Sequence, residues 1–97
     1  MKILLIEDEL LIQKSLKTLL ERRGAIVTAC NSGIQAIKYI NNENFDRIVC
    51  DIMLNDITGI EVIEESKKKY NLDEIADLFV IITAYSSPQI IETISRY

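Results

Sequence analysis

Short runs with apolar residues on both faces constrain this chain more than any other feature. Lys2 to Ile6 (KILLI), Arg47 to Cys50 (RIVC) and Leu78 to Ile82 (LFVII) lack the in–out alternation of a half-exposed strand. Such runs suit parallel strands covered by helices on both sides. Ala25 to Cys30 (AIVTAC) is less uniform and fits a sheet edge. Helical periodicity fills the gaps. Ile12, Leu16, Leu19 and Leu20 share one face of a helix closed by Gly24. Ser32 is suited to cap a second helix carrying Ile34, Ile37 and Ile40. A third, from about Thr58 through Lys69, turns Ile60 and Ile63 inward, and Pro88 opens a fourth with Ile90, Ile91 and Ile94 behind it. Tyr70 to Asp77 reads as a polar link. The order β-α-β-α-β-α-β-α with short connections predicts an α/β fold, a doubly wound parallel sheet.

Composition narrows the function. Ninety-seven residues make one domain. Eleven basic against fifteen acidic residues give a net charge of −4, which argues against direct binding of nucleic acid. The one dense basic run, Lys67-Lys68-Lys69, reads as the solvated end of a helix. No apolar run approaches the roughly 20 residues that cross a bilayer, and "MKILLIEDE" lacks the length and cleavage site of a signal peptide. The expected setting is the cytoplasm, away from membranes. The absence of histidine removes His-based triads and the usual zinc sets.

Acids finish two of the apolar runs. The first ends in Glu7-Asp8-Glu9 and the third in Asp51, while the fourth ends in Thr83-Ala84. In an open parallel sheet, ligands bind beyond the carboxyl ends of the strands. If the first and third strands are neighbours, roughly 4.8 Å apart, their carboxylates converge and repel. A hard cation such as Mg²⁺ removes that conflict. Thr83 then adds a hydroxyl and Ala84 a backbone N–H, both donors suited to an oxygen-rich anion. Taken singly, each residue has a plainer reading: a helix N-terminal acid for Glu7, Asp8 or Glu9, an Asx-turn for Asp51, a strand end for Thr83. Their coincidence on one edge favours a shared site for a metal and an oxygen-rich anion.

"LLIEDE", "VCDIMLNDITGIE" and "VIITAYSS" resemble the receiver domain of bacterial two-component response regulators. The acidic pair, the strand-ending Asp, the Gly eight residues later and the Thr-Ala match in order and spacing along the whole chain. The resemblance implies a flavodoxin-like receiver fold with strand order 2-1-3-4. It implies that Asp51 accepts a phosphoryl group from a sensor histidine kinase or phosphotransfer protein. Glu7, Asp8, Asp51 and the backbone carbonyl of Met53 would hold Mg²⁺. Thr83 would contact the phosphoryl group and switch with it, and the N–H of Ala84 would support it. Met53 and Tyr85 occupy variable places that tune the lifetime of the phosphoryl group. Asn55 stands where the family usually has Pro, which is expected to loosen the loop without removing a catalytic atom. Such a chain is an acceptor with at most weak self-dephosphorylation and not an enzyme. In the 2-1-3-4 order Cys30 and Cys50 lie two strand spacings apart, about 9.6 Å, so both read as buried thiols.

The family continues into a fifth strand bearing a Lys and a switch aromatic, and into a fifth helix. This sequence stops at Tyr97, and no Lys follows Thr83. The expectation is a receiver domain over residues 1–97 that is incomplete at its C-terminal end, with impaired phosphoryl chemistry. Leu78 to Ile82 then becomes an uncovered sheet edge, which predicts a homodimer or exchange of an element between copies. The alternative function is a receiver-like interaction or dimerisation module that is not phosphorylated. An aspartate-nucleophile phosphatase of the dehalogenase type wants a second Asp two residues after the nucleophile, where this chain has Met53.

Overall fold

A computed structural model describes residues 1–52, 54 and 56–82. Met53, Asn55, Thr83, Ala84, Tyr85 and the helix expected from Pro88 lie outside the described residues. The elements run β1 (Lys2–Ile6), α1 (Leu10–Arg22), β2 (Ile26–Cys30), α2 (Gly33–Asn42), β3 (Arg47–Asp51), α3 (Gly59–Ser66), α4 (Leu72–Leu78) and β4 (Phe79–Ile82). All strand pairs are parallel, in the order β2-β1-β3-β4 expected from the sequence.

Alternate residues of each central strand feed opposite cores, as the pleat requires. Leu4, Ile6, Ile48 and Cys50 pack with Ala36 and Ile40 of α2 and Val62 of α3. Ile3, Leu5 and Val49 pack on the other face with Leu16 and Leu20 of α1 and with Ile82. Each fully buried branched side chain contributes about 1.5–3 kcal/mol, which makes β1 and β3 the rigid centre of the molecule. Cys30 and Cys50 are free, buried thiols on either side of Ile6, with which both are in register. Burial pushes their pKa values up to about 11 and about 12, so both stay protonated and inert.

The helix boundaries follow from capping. Gly24 ends α1 in the left-handed region at φ 91°, where a side chain would be strained. Ser32 accepts from the Gln35 N–H, and Thr58 accepts from the Glu61 N–H. Beyond Ser66 the chain tightens: the N–H groups of Lys67, Lys68 and Lys69 donate three residues back. The helix therefore stops short of the expected Lys69.

Several expectations need correction. Residues 70 to 77 are not simply a link, because Leu72–Leu78 is helical. Asn71 and Glu74 form a reciprocal capping box there, and Ile75 and Leu78 are buried. Leu78 accordingly ends α4 and does not start β4. The inward face of α3 is Gly59, Val62 and Ser66, whereas Ile60 is 54% exposed. Gly59 lies so close to the backbone of β3 that it fixes the rotation of the helix, and Ser66 is buried with its hydroxyl donating to the Val62 carbonyl at 2.8 Å. Similarly, Gly33, Ala36 and Ile40 face inward from α2 while Ile34 is exposed, and Leu19 of α1 is 39% exposed.

Candidate metal and phosphoryl site

Register places the acids. Ile6 of β1 pairs with Cys50 of β3, so the next residues, Glu7 just past β1 and Asp51 at the end of β3, lie side by side at the carboxyl edge of the sheet. The carboxylates of Glu7, Asp8 and Asp51 each present an oxygen within 4.8 Å of the others. Glu7 and Asp51 are buried and Asp8 is half-buried. Among the described residues, Oε2 of Glu7 is buried without a hydrogen-bond partner.

That crowding shows in the chemistry of Glu7. Burial raises its carboxyl pKa most, followed by the hydrogen bond with the Asp51 side chain and then the negative charges of Asp51, Asp8 and Glu9. Together they push it from 4.5 to about 8, so without a cation Glu7 holds a proton at neutral pH.

The surroundings hold the acids still. A Cβ on Gly59 would sit 2.8 Å from the Asp51 carbonyl oxygen and 3.0 Å from the Ile52 Cα, so α3 starts hard against the back of the β3 terminus. The Gly59 N–H donates to the Ile52 carbonyl at 3.0 Å, and the Ile52 N–H donates to the Ile82 carbonyl at 3.1 Å. Farther along the loop, both carboxylate oxygens of Asp56 accept from α2, from the N–H groups of Gly33 and Ile34 at 2.9 Å each. On the β1 side, Gln13 Nε2 donates to the carbonyls of Glu7 and Cys30, at 3.0 Å each.

Of the residues expected at the site, the structure brings the carboxylates of Glu7, Asp8 and Asp51 together. Sequence reasoning missed Asp56, Gln13 and Lys69, whose ammonium donates to the Ile40 and Glu43 carbonyls at the end of α2 while Lys67 and Lys68 form exposed ion pairs as expected of a solvated helix end. Asp56 stands just before α3 yet caps α2, so its place in the sequence gives no signal for that contact. A glutamine that bridges strands has no local signature at all.

The chain matches the family model described as the response regulator receiver domain over residues 3–96. It is 34% identical over 71 residues to a transcriptional regulatory protein CpxR homolog of Haemophilus influenzae, covering 73% of this chain and 31% of that protein. Response regulator protein TrrA of Thermotoga maritima, solved in complex with Mg²⁺-BeF, superimposes with a TM-score of 0.78 at 27% identity, over 98% of this chain and 96% of that one. A solved complex of the histidine kinase ThkA with TrrA matches with a TM-score of 0.74 at 31% identity, over 91% of this chain and 72% of the matched one. The chain spans 31%, 36% and 18% of the first curated relatives it matches, about a third of their length or less. No helix among the described residues is long and apolar enough to cross a membrane. By its family match, its sheet order and its strand-end acids, the chain belongs to the response regulator receiver domains.

Proposed function

We propose that this chain is a phospho-acceptor in two-component signalling, in which Asp51 takes a phosphoryl group from a phosphohistidine on a sensor kinase or phosphotransfer protein. The observation that carries the reading is the convergence of the Glu7, Asp8 and Asp51 carboxylates within 4.8 Å, with one Glu7 oxygen buried and lacking a partner among the described residues. Three carboxylates supplying hard oxygen donors, with an unpartnered oxygen on Glu7 among the described residues, fit Mg²⁺. Glu7, Asp8 and Asp51 would hold the ion, with the backbone carbonyl of Met53 as a further ligand. Bound there, Mg²⁺ supplies positive charge against the phosphoryl oxygens.

The remaining work falls to the chain itself. Asp51 is a weak nucleophile, so its reaction depends on placement. Its burial at the end of β3, with α3 pressed behind it at Gly59, limits its freedom. One Asp51 oxygen forms a bond to phosphorus as the donor's N–P bond breaks, which leaves an acyl phosphate and a free imidazole. Thr83 would donate to the phosphoryl oxygens and change position with them, and the Ala84 N–H would donate as well. Exposed Leu10, Leu11, Ile34 and Ile60 lie in the first turns of α1, α2 and α3, each of which begins at a strand's carboxyl end. That apolar rim supports docking of a protein donor. The setting this implies is cytoplasmic. Among the described residues β4 pairs only with β3, which supports a second copy adding along its other edge; sedimentation as a monomer at tens of micromolar would end that part.

The test is acetyl phosphate with Mg²⁺, read by intact mass. A phosphoryl adduct is expected on the unmodified chain and none on Asp51→Asn. An adduct of equal yield on Asp51→Asn overturns the assignment. Beryllofluoride separates the runner-up: no binding at millimolar ligand by a chain that still takes up Mg²⁺ favours an interaction module over an acceptor.

A further inference from the structure

Gln13 is the fourth residue of α1, and helical side chains lean toward the N-terminus, over the turn that precedes them. Its backbone N–H makes an ordinary helical bond to the Glu9 carbonyl at 2.9 Å. Its side-chain amide does something else. Nε2 donates at 3.0 Å to the Glu7 carbonyl and at 3.0 Å to the Cys30 carbonyl, the last residues out of β1 and β2. The Cys30 carbonyl also accepts from the Glu7 N–H at 3.1 Å. Glu7 is thus gripped at both its N–H and its C=O, directly beside its buried carboxylate. The three residues between β1 and α1 contain two of the three clustered acids. The N-terminus of α1 has no side-chain cap that could hold this turn instead.

We infer that Gln13 is a positioning residue for cation capture, its amide fixing the Glu7 backbone so that the Glu7 and Asp8 carboxylates meet Asp51. It touches neither the ion nor the phosphoryl group. The inference rests on the metal reading above and adds a residue to it. Two donors on one amide nitrogen satisfy two carbonyls, one in the β1–α1 turn and one at the end of β2, and an apolar residue of the same length donates to neither. Partners one step removed from a metal ligand set its affinity, typically by about 10–100-fold when removed.

The experiment is Mg²⁺ titration of the full chain, followed by amide chemical shifts, for the unmodified protein and for Gln13→Met. Methionine keeps the length and apolar stem of Gln13 and removes both donors. The expected result is a folded Gln13→Met chain whose Mg²⁺ dissociation constant rises about tenfold. Unchanged affinity in folded Gln13→Met overturns the role of Gln13 alone. Absence of Mg²⁺ binding by the unmodified chain, or full binding retained by Asp8→Asn, overturns the metal reading itself. A second measurement needs no variant: the Gln13 side-chain NH₂ resonances of the unmodified protein. Slowed solvent exchange and a shift on adding Mg²⁺ support the tether, and exchange at the rate of a free amide with no shift overturns it.

Discussion

The two turns that deliver acids to one edge of the sheet are built on opposite plans. The β1–α1 turn has three residues, carries Glu7 and Asp8, and is tied at Glu7, whose N–H donates to the Cys30 carbonyl and whose carbonyl accepts from the Gln13 side chain. The β3–α3 turn runs for seven residues after Asp51 and is tied at several points: Ile52 to β4, Gly59 back to Ile52, and Asp56 to the N-terminus of α2. Loop length explains the difference. A three-residue turn has few conformations to exclude, whereas a seven-residue turn has many, so each further tether removes freedom that would blur the position of Asp51. The short turn concentrates charge and the long turn concentrates packing, and each should fail in its own way.

Charge gives the largest expected effect. Unfolded, Glu7 releases its proton near 4.5; folded and metal-free, it keeps it to about 8. Between these values the native chain holds a proton that the unfolded chain has lost. Stability without metal therefore falls as pH rises through that window, and levels off above it. The expected loss is on the order of a few kcal/mol. Glu7→Gln should flatten this slope, and Mg²⁺ should stabilise the unmodified chain more at the upper end of the window than at the lower. Urea melts at the two ends of the window check it. Equal slopes for the unmodified chain and Glu7→Gln would show that the short turn carries no special charge burden.

Packing in the long turn is tested at its last contact. An added Cβ on Gly59 meets backbone, 2.8 Å from the Asp51 carbonyl oxygen, whereas one on Gly33 meets the side chain of Ile57 at its Cγ1 and more closely still. Backbone at the end of a central strand cannot step aside, and an isoleucine side chain can change rotamer. Gly59→Ala is expected to lose about 2–3 kcal/mol and Gly33→Ala less, about 1 kcal/mol, despite the closer approach there. Denaturant midpoints of both variants decide it. The reverse order would mean that α3 can slide away from β3, and that Asp51 is less firmly backed than the geometry indicates.

What was legible in the sequence divides along the same line. β1 and β3 were readable because strands buried on both faces have no polar residues to confuse the pattern, and their acids could be placed together once those strands were neighbours. The face of α3 was misread because the rule that large apolar residues turn inward fails where a helix packs on bare backbone. Gly59 and Ser66 won the inward positions from Ile60 by being small. Helix α4 went unread because Asp73, Glu74 and Asp77 outnumber its two buried residues, although the Asn71–Glu74 capping box was there to be seen. The tethers from Gln13, Asp56 and Lys69 span 17, 23 and 29 residues at their longer or only reach, and nothing local marks such partners.

The smallest effect belongs to the most distant tether of the long turn. Asp56 is exposed, and its two bonds, from the Gly33 and Ile34 N–H groups, add to the capping that Ser32 gives α2 by accepting from the Gln35 N–H. Asp56→Ala is therefore expected to lose about 1 kcal/mol, the ordinary value of a helix cap. The pH dependence tells a cap from a generic surface acid. Desolvation pulls the Asp56 pKa up, but the N–H groups of Ile34 and Gly33, with those of Ile57 and Asp56 itself, outweigh it and hold the carboxyl below 3.8. Since the folded value lies below the unfolded one, this stabilisation is present above 3.8 and fades as pH falls through the lower folded value. The gap between the unmodified chain and Asp56→Ala should accordingly close in strong acid, whereas Gly59→Ala, a steric defect, should keep its full deficit there. A gap at Asp56 that persisted in acid would point to lost packing, and would make the long turn a matter of shape throughout.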